Sequence, residues 1–142
     1  MQTKGWNLAL GLGLLLCAVL ACKFNASTAN ISSLKVAKDK AATQEAGTFG
    51  PNDTVYAVAE VSNVPDKVKV KGRLSFEDVE GQPTGPIPGV EQTLDLPGSG
   101  TATYTFTPPP SGWLKGKYKV DVMMLNEEGE QKDQKSASFT VS

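Results

Sequence analysis

Few side chains in this sequence can do chemistry, and the one with most to offer is a thiol. Cys22 closes Val19-Leu20-Ala21-Cys22, where an apolar run from Leu8 to Leu20 gives way to polar sequence; Cys17 lies inside that run. The chain has no histidine. That removes the commonest general base, the usual activator of a nucleophile and the commonest transition-metal ligand. Carboxylates gather at Glu77, Asp78 and Glu80, and again at Glu127, Glu128 and Glu130. Such groups can act as acid and base on a glycoside or hold calcium. Neither cluster has the alternating ligand spacing of a calcium loop, and both sit beside turns, where charge is expected. Met123-Met124 alone is too few soft donors for copper. Trp113 and Tyr118 can stack on a sugar, but core and strand-corner roles are the simpler expectation. An enzyme is not expected, nor a cofactor or a metal.

Lysines offer the remaining candidate. Lys67, Lys69, Lys71 and Arg73 alternate with Val68, Val70 and Gly72. Side chains of a strand alternate faces, so the basic residues share one face and the apolar ones the other. Lys117 and Lys119 repeat the pattern against Tyr118 and Val120. If the two strands are neighbours, Lys69, Lys71, Arg73, Lys117 and Lys119 merge into a patch able to attract an anionic partner. An ordinary solvated sheet face, with lysines that discourage edge pairing, explains the same pattern. Asp121 on that face and the slightly negative overall charge favour this plainer account.

Position in the chain gives Cys22 its meaning. Lys4, the apolar run and small Ala21 are in the order of an export signal, and the run is too short to span a bilayer core. Val19-Leu20-Ala21-Cys22 resembles the bacterial lipobox. The resemblance implies diacylglycerol on the Cys22 thiol, cleavage after Ala21 and acylation of the new amino terminus. Lys23 follows, where an Asp would be the familiar inner-membrane retention signal, so an outer membrane is the expected location. After cleavage Cys22 is the single cysteine, so the fold must hold without an intramolecular disulfide.

The elements that carry these residues are strands. Of 142 residues, the chain beyond Cys22 is enough for one domain. Its net charge of −1 becomes more negative when Lys4 is removed, which argues against a nucleic-acid partner. Residues 22–33 read as an acylated cysteine and a flexible tether, reaching roughly 18 Å as a coil. Beyond it, residues 34–142 hold a short strand at Leu34–Val36, then a loop or helical turn over Asp39–Phe49. A central strand follows over Thr54–Val61, and the clearest alternation covers Lys67–Glu77. A Pro/Gly-rich loop occupies Glu80–Gly89, and Val90–Leu96 pairs weakly. Strands at Thr101–Thr107, Lys117–Asn126 and Ala137–Val141 complete the chain, the last two joined by a hairpin at Asn126–Glu130.

About seven strands with regular turns describe an all-β antiparallel sandwich. Leu114-Lys-Gly-Lys-Tyr118-Lys-Val120 resembles the start of the sixth strand in fibronectin type III and other immunoglobulin-like domains. Together with Asp53-Thr-Val-Tyr-Ala57 and Ser138-Phe139-Thr-Val141, it is similar to small exported bacterial lipoproteins with one immunoglobulin-like domain. The resemblance implies a corner tyrosine bonded back to the backbone, and a fold without catalytic residues. The expected function is a lipid-anchored, non-enzymatic binding or structural module facing the periplasm or cell surface, held to the membrane through Cys22. Its partner would be a protein or other envelope component. The alternative is a proteinase inhibitor presenting Pro83–Gly89 or Pro108–Pro110 as a stiff loop.

Overall fold

The computed structural model describes residues 29–142; the signal segment, Cys22 and most of the expected tether lie outside them. Eight strands follow one another: β1 (Asn30–Ala37), β2 (Thr48–Phe49), β3 (Val55–Ser62), β4 (Val68–Val79), β5 (Gly85–Leu96), β6 (Gly100–Phe106), β7 (Gly116–Leu125) and β8 (Gln131–Val141). They form a three-stranded sheet, β1-β3-β6, packed on a five-stranded sheet, β2-β8-β7-β4-β5. This is the all-β antiparallel sandwich expected from the turn spacing, with eight strands where about seven were expected. All pairings are antiparallel except that of β2, which runs parallel to the end of β8.

The alternation read in the sequence is the alternation of faces. Val68, Val70 and Leu74 of β4 are buried, as are Ala102, Tyr104 and Phe106 of β6, and Tyr118, Val120, Val122 and Met124 of β7. These side chains, with Val55, Ala57 and Ala59 of β3 and Phe139 and Val141 of β8, form one core between the sheets.

Boundaries differ from expectation at β1, β5 and β8, the last beginning at Gln131 ahead of the expected Ala137, and Thr48–Phe49, expected within a loop, is β2. β1 starts at Asn30, inside the segment expected to be tether, because Ile31 is buried and pairs with Val61. The Pro-rich stretch is a loop only as far as Thr84; Gly85–Leu96 is a long strand with Pro86 across from Ser75. β5 tolerates its prolines because it is an edge strand with a neighbour on one side only. Asp39–Gly47 is the loop of the two alternatives expected for it. There Asp39 accepts bonds from the backbone N–H of Thr43 and Gln44 and from the Thr43 hydroxyl, and these partners hold its carboxyl below the usual range.

Candidate functional site

The outer face of the five-stranded sheet carries Lys69, Lys71, Arg73, Lys117 and Lys119, while Lys67, expected with them, precedes β4. β4 and β7 are neighbours, so the two rows meet: Lys71 stands across from Met123, Arg73 from Asp121 and Ser75 from Lys119. A bulge between Phe76 and Asp78 shifts the register before Lys117. Lys69 stands across from Leu125 on one side and Asp95 on the other.

The sheet also brings carboxylates to the same face. Lys71 Nζ lies 2.7 Å from Glu91 of β5, and Lys117 Nζ lies 3.1 Å from Glu77 at the bulge. Asp121 sits at the centre with its side chain 2% exposed; Arg73 Nε is 3.4 Å from one carboxylate oxygen, Lys119 Nζ is 3.9 Å from the other, and the Ser136 hydroxyl donates to it. The Lys117 ammonium holds the Glu77 carboxyl below its usual range; partial burial opposes this and the Ser138 hydroxyl assists it. Four of the five basic residues are therefore charge-paired, and Lys69 forms no ion pair among the described residues. The face is a mosaic of compensated charges. With Asp95 across from Lys69, four carboxylates stand among the five bases, so a single net positive charge remains and the field at a distance is weak.

The other candidate residues have structural positions. Trp113 is 8% exposed; its indole N–H donates to the Asp53 carbonyl at 2.8 Å, and its backbone N–H donates to Pro51. The Tyr118 hydroxyl donates to the Leu114 carbonyl at 2.7 Å, the corner bond expected from the sequence, and burial raises its pKa. The two rings meet edge to face at 5.9 Å, and Tyr118 stacks on Phe139 at 5.3 Å. A sugar platform at Trp113 and Tyr118 would require surface that is inside the fold. Met123 and Met124 are 7% and 1% exposed and, as successive strand residues, point to opposite faces; they cannot share an ion. Of the acidic clusters, Glu77 is committed to Lys117, and Glu130 accepts from Asn126 within the hairpin. Pro109 caps a turn whose closing bond is Gly112 N–H to Pro109 C=O, 2.8 Å.

One feature had no sequence signal. At the end of the sandwich where β3 meets β4, an open groove of about 450 Å³ runs between Val68, Leu96 and Pro97, rimmed by Lys67, Lys69, Asp95 and Glu127. A shallower depression beside it, lined in part by Ala29, Val64, Met124 and Glu128, reaches the start of the described chain. These residues come from four separate segments, so only the closed topology assembles them.

No family model matches this sequence, and no curated protein matches it. Solved structures do match in fold. A Niemann–Pick type C2 protein from the Japanese carpenter ant superposes with a TM-score of 0.50 at 12% identity, over 80% of this chain and 92% of its own. A cycloisomaltooligosaccharide glucanotransferase from Paenibacillus sp. gives 0.52 at 16% identity over 81% of this chain. β-Glucuronidase 2 of Bacteroides uniformis gives 0.53 at 12% over 79%. This chain spans 14% of each of those two enzymes. At these identities the likeness is one of β-sandwich fold.

Proposed function

We propose that this protein is a lipid-anchored, non-enzymatic module that displays its β-sandwich on the periplasmic or outer face of a bacterial membrane, with the outer membrane as its location. The observation that carries this reading is Val19-Leu20-Ala21-Cys22 at the end of an apolar run, with β1 beginning only at Asn30. A lipid on Cys22 would hold the domain within a short tether of the bilayer. A fibronectin type III-like subclass fits the corner bond of Tyr118 and the placement of β5 beside β4.

The non-enzymatic reading rests on chemistry. The sequence offers no histidine, Glu77 and Glu130 of the acidic clusters serve ion pairs, and the aromatic pair is core. The partner would be a protein or another envelope component, met through loops or a sheet face; nucleic acid is not proposed. The inhibitor reading would have to use Pro108–Pro110, because Pro86 and Pro88 belong to a paired strand.

The test compares the wild-type protein with Cys22→Ser in growing cells. The wild type should take up metabolic palmitate label and enter the detergent phase on phase separation, and Cys22→Ser should do neither. Wild-type protein that carries no label and stays in the aqueous phase would refute the anchor.

A further inference from the structure

We infer that the sandwich stands on end at the membrane, with the groove end facing the lipid headgroups and the Leu114 end pointing away. This deepens the proposed function and rests on an anchor at Cys22. It follows from where the chain leaves the fold. Asn30 pairs with Ser62, the last residue of β3, and Ile31 donates its N–H to Asp133 at the start of β8, 2.8 Å away. The exit point is therefore fixed at the end built by the β3–β4 turn, the β5–β6 turn and the β7–β8 hairpin. Ala29 lines the same depression as Val64 and Glu128.

Length then decides what can touch the membrane. From Cys22 to Ala29 the chain spans at most about 25 Å when fully extended. A strand of the length of β4 spans about 40 Å. The loops beside the exit are thus held near the headgroups. The opposite end carries the β4–β5 hairpin, Pro108–Pro110 and Leu114, which is 47% exposed. That end reaches the membrane only if the domain lies down.

Charge decides between standing and lying. The loops at the exit expose Asp66, Glu127, Glu128 and Glu130 against Lys67 and Lys132, the last 3.9 Å from Glu130, so they rest at the headgroups and do not sink between the acyl chains. The basic sheet face, which alone could draw the domain onto its side, has Glu77, Glu91, Asp95 and Asp121 among its five bases and keeps a single net positive charge, so its pull is weak. The groove does not extract the anchor. Every acyl CH₂ buried in the bilayer adds to the hold of the anchor, and an open groove floored by Val68, Leu96 and Pro97 cannot replace a whole chain of them. The occupant of this end is the headgroup layer.

Energy transfer from tryptophan to a dansyl headgroup lipid tests the orientation. Full-length protein, processed in cells and purified from membranes, is placed in phosphatidylcholine bilayers doped with dansyl-phosphatidylethanolamine. After cleavage at Cys22 the native tryptophan is Trp113, at the far end. It should transfer weakly, and Glu128→Trp should raise transfer several-fold. Transfer from Trp113 that equals or exceeds the gain from Glu128→Trp would overturn the orientation. The mass of the amino-terminal peptide reports separately on the anchor. If Cys22 carries no lipid, the proposed function fails, and the orientation is then read on protein coupled at Cys22 to a maleimide lipid, with the same two outcomes.

Discussion

The ring of Tyr104 lies directly on Gly72. Tyr104 belongs to β6 of one sheet and Gly72 to β4 of the other, and a Cβ placed on Gly72 would fall 2.7 Å from two ring carbons. The ring cannot slide away freely, because its hydroxyl donates to the Val70 carbonyl at 2.6 Å and is fully enclosed, which raises its pKa. The pair clamps the two sheets together. Gly72→Ala should therefore destabilise the fold by about 1–3 kcal/mol through overpacking. A denaturant midpoint equal to that of the wild type would contradict the clamp.

Gly72 shows how far the sequence can be read. Its place on the apolar face of the Lys67–Glu77 alternation is legible, since period two assigns the face. Its partner is not, because Tyr104 arrives from another sheet. The same division holds for the basic face. Alternation puts Lys69, Lys71, Arg73, Lys117 and Lys119 on one side, and Asp121 was visible among them. Glu91 was not, because it sits on a strand whose prolines disguise it; period two puts Glu77 on the same face, but its contact with Lys117 depends on a register shift that alternation does not show. The corner at Tyr118 was legible because its bond is local, to a residue four positions back. The groove was not, because its walls come from distant segments.

The corner carries its own expectation. Tyr118→Phe removes one hydroxyl and leaves the Leu114 carbonyl without its partner, at a cost of about 1–3 kcal/mol. Trp113→Ala also opens a cavity beside Tyr118, and should cost about 3–5 kcal/mol. Equilibrium denaturation of both variants checks the order; a Trp113→Ala protein as stable as the wild type would place that ring outside the core.

The charge mosaic predicts that neutralising acids matters more than neutralising bases. Soluble residues 23–142, free of lipid and of the apolar signal, should ignore anionic vesicles even at low salt. Glu77→Gln with Glu91→Gln releases Lys117 and Lys71, each able to contribute about 1 kcal/mol at an anionic surface. Vesicle co-sedimentation should then appear and fade with salt. Strong binding by the parent, lost on changing Lys69, Lys71 and Lys117 to Gln, would restore the basic face as a site.

Acid should undo the Glu77 pair. Its folded pKa lies below the ordinary carboxylate value because of Lys117, so its contribution is full above the unfolded pKa and is lost as pH falls through the folded one. The pair is partly exposed, so the contribution is at most about 1 kcal/mol. Lys117→Gln should be less stable than the wild type by that amount at neutral pH, and the gap should close as pH is lowered through the carboxylate range. A gap independent of pH would assign the loss to packing.

The central claim is the anchor, and the mass of the mature amino terminus tests it most directly. Protein recovered from the membrane fraction should begin at Cys22 and carry the mass of a diacylglycerol on that residue. A mature chain that begins elsewhere, or begins at Cys22 with an unmodified thiol, would contradict the account.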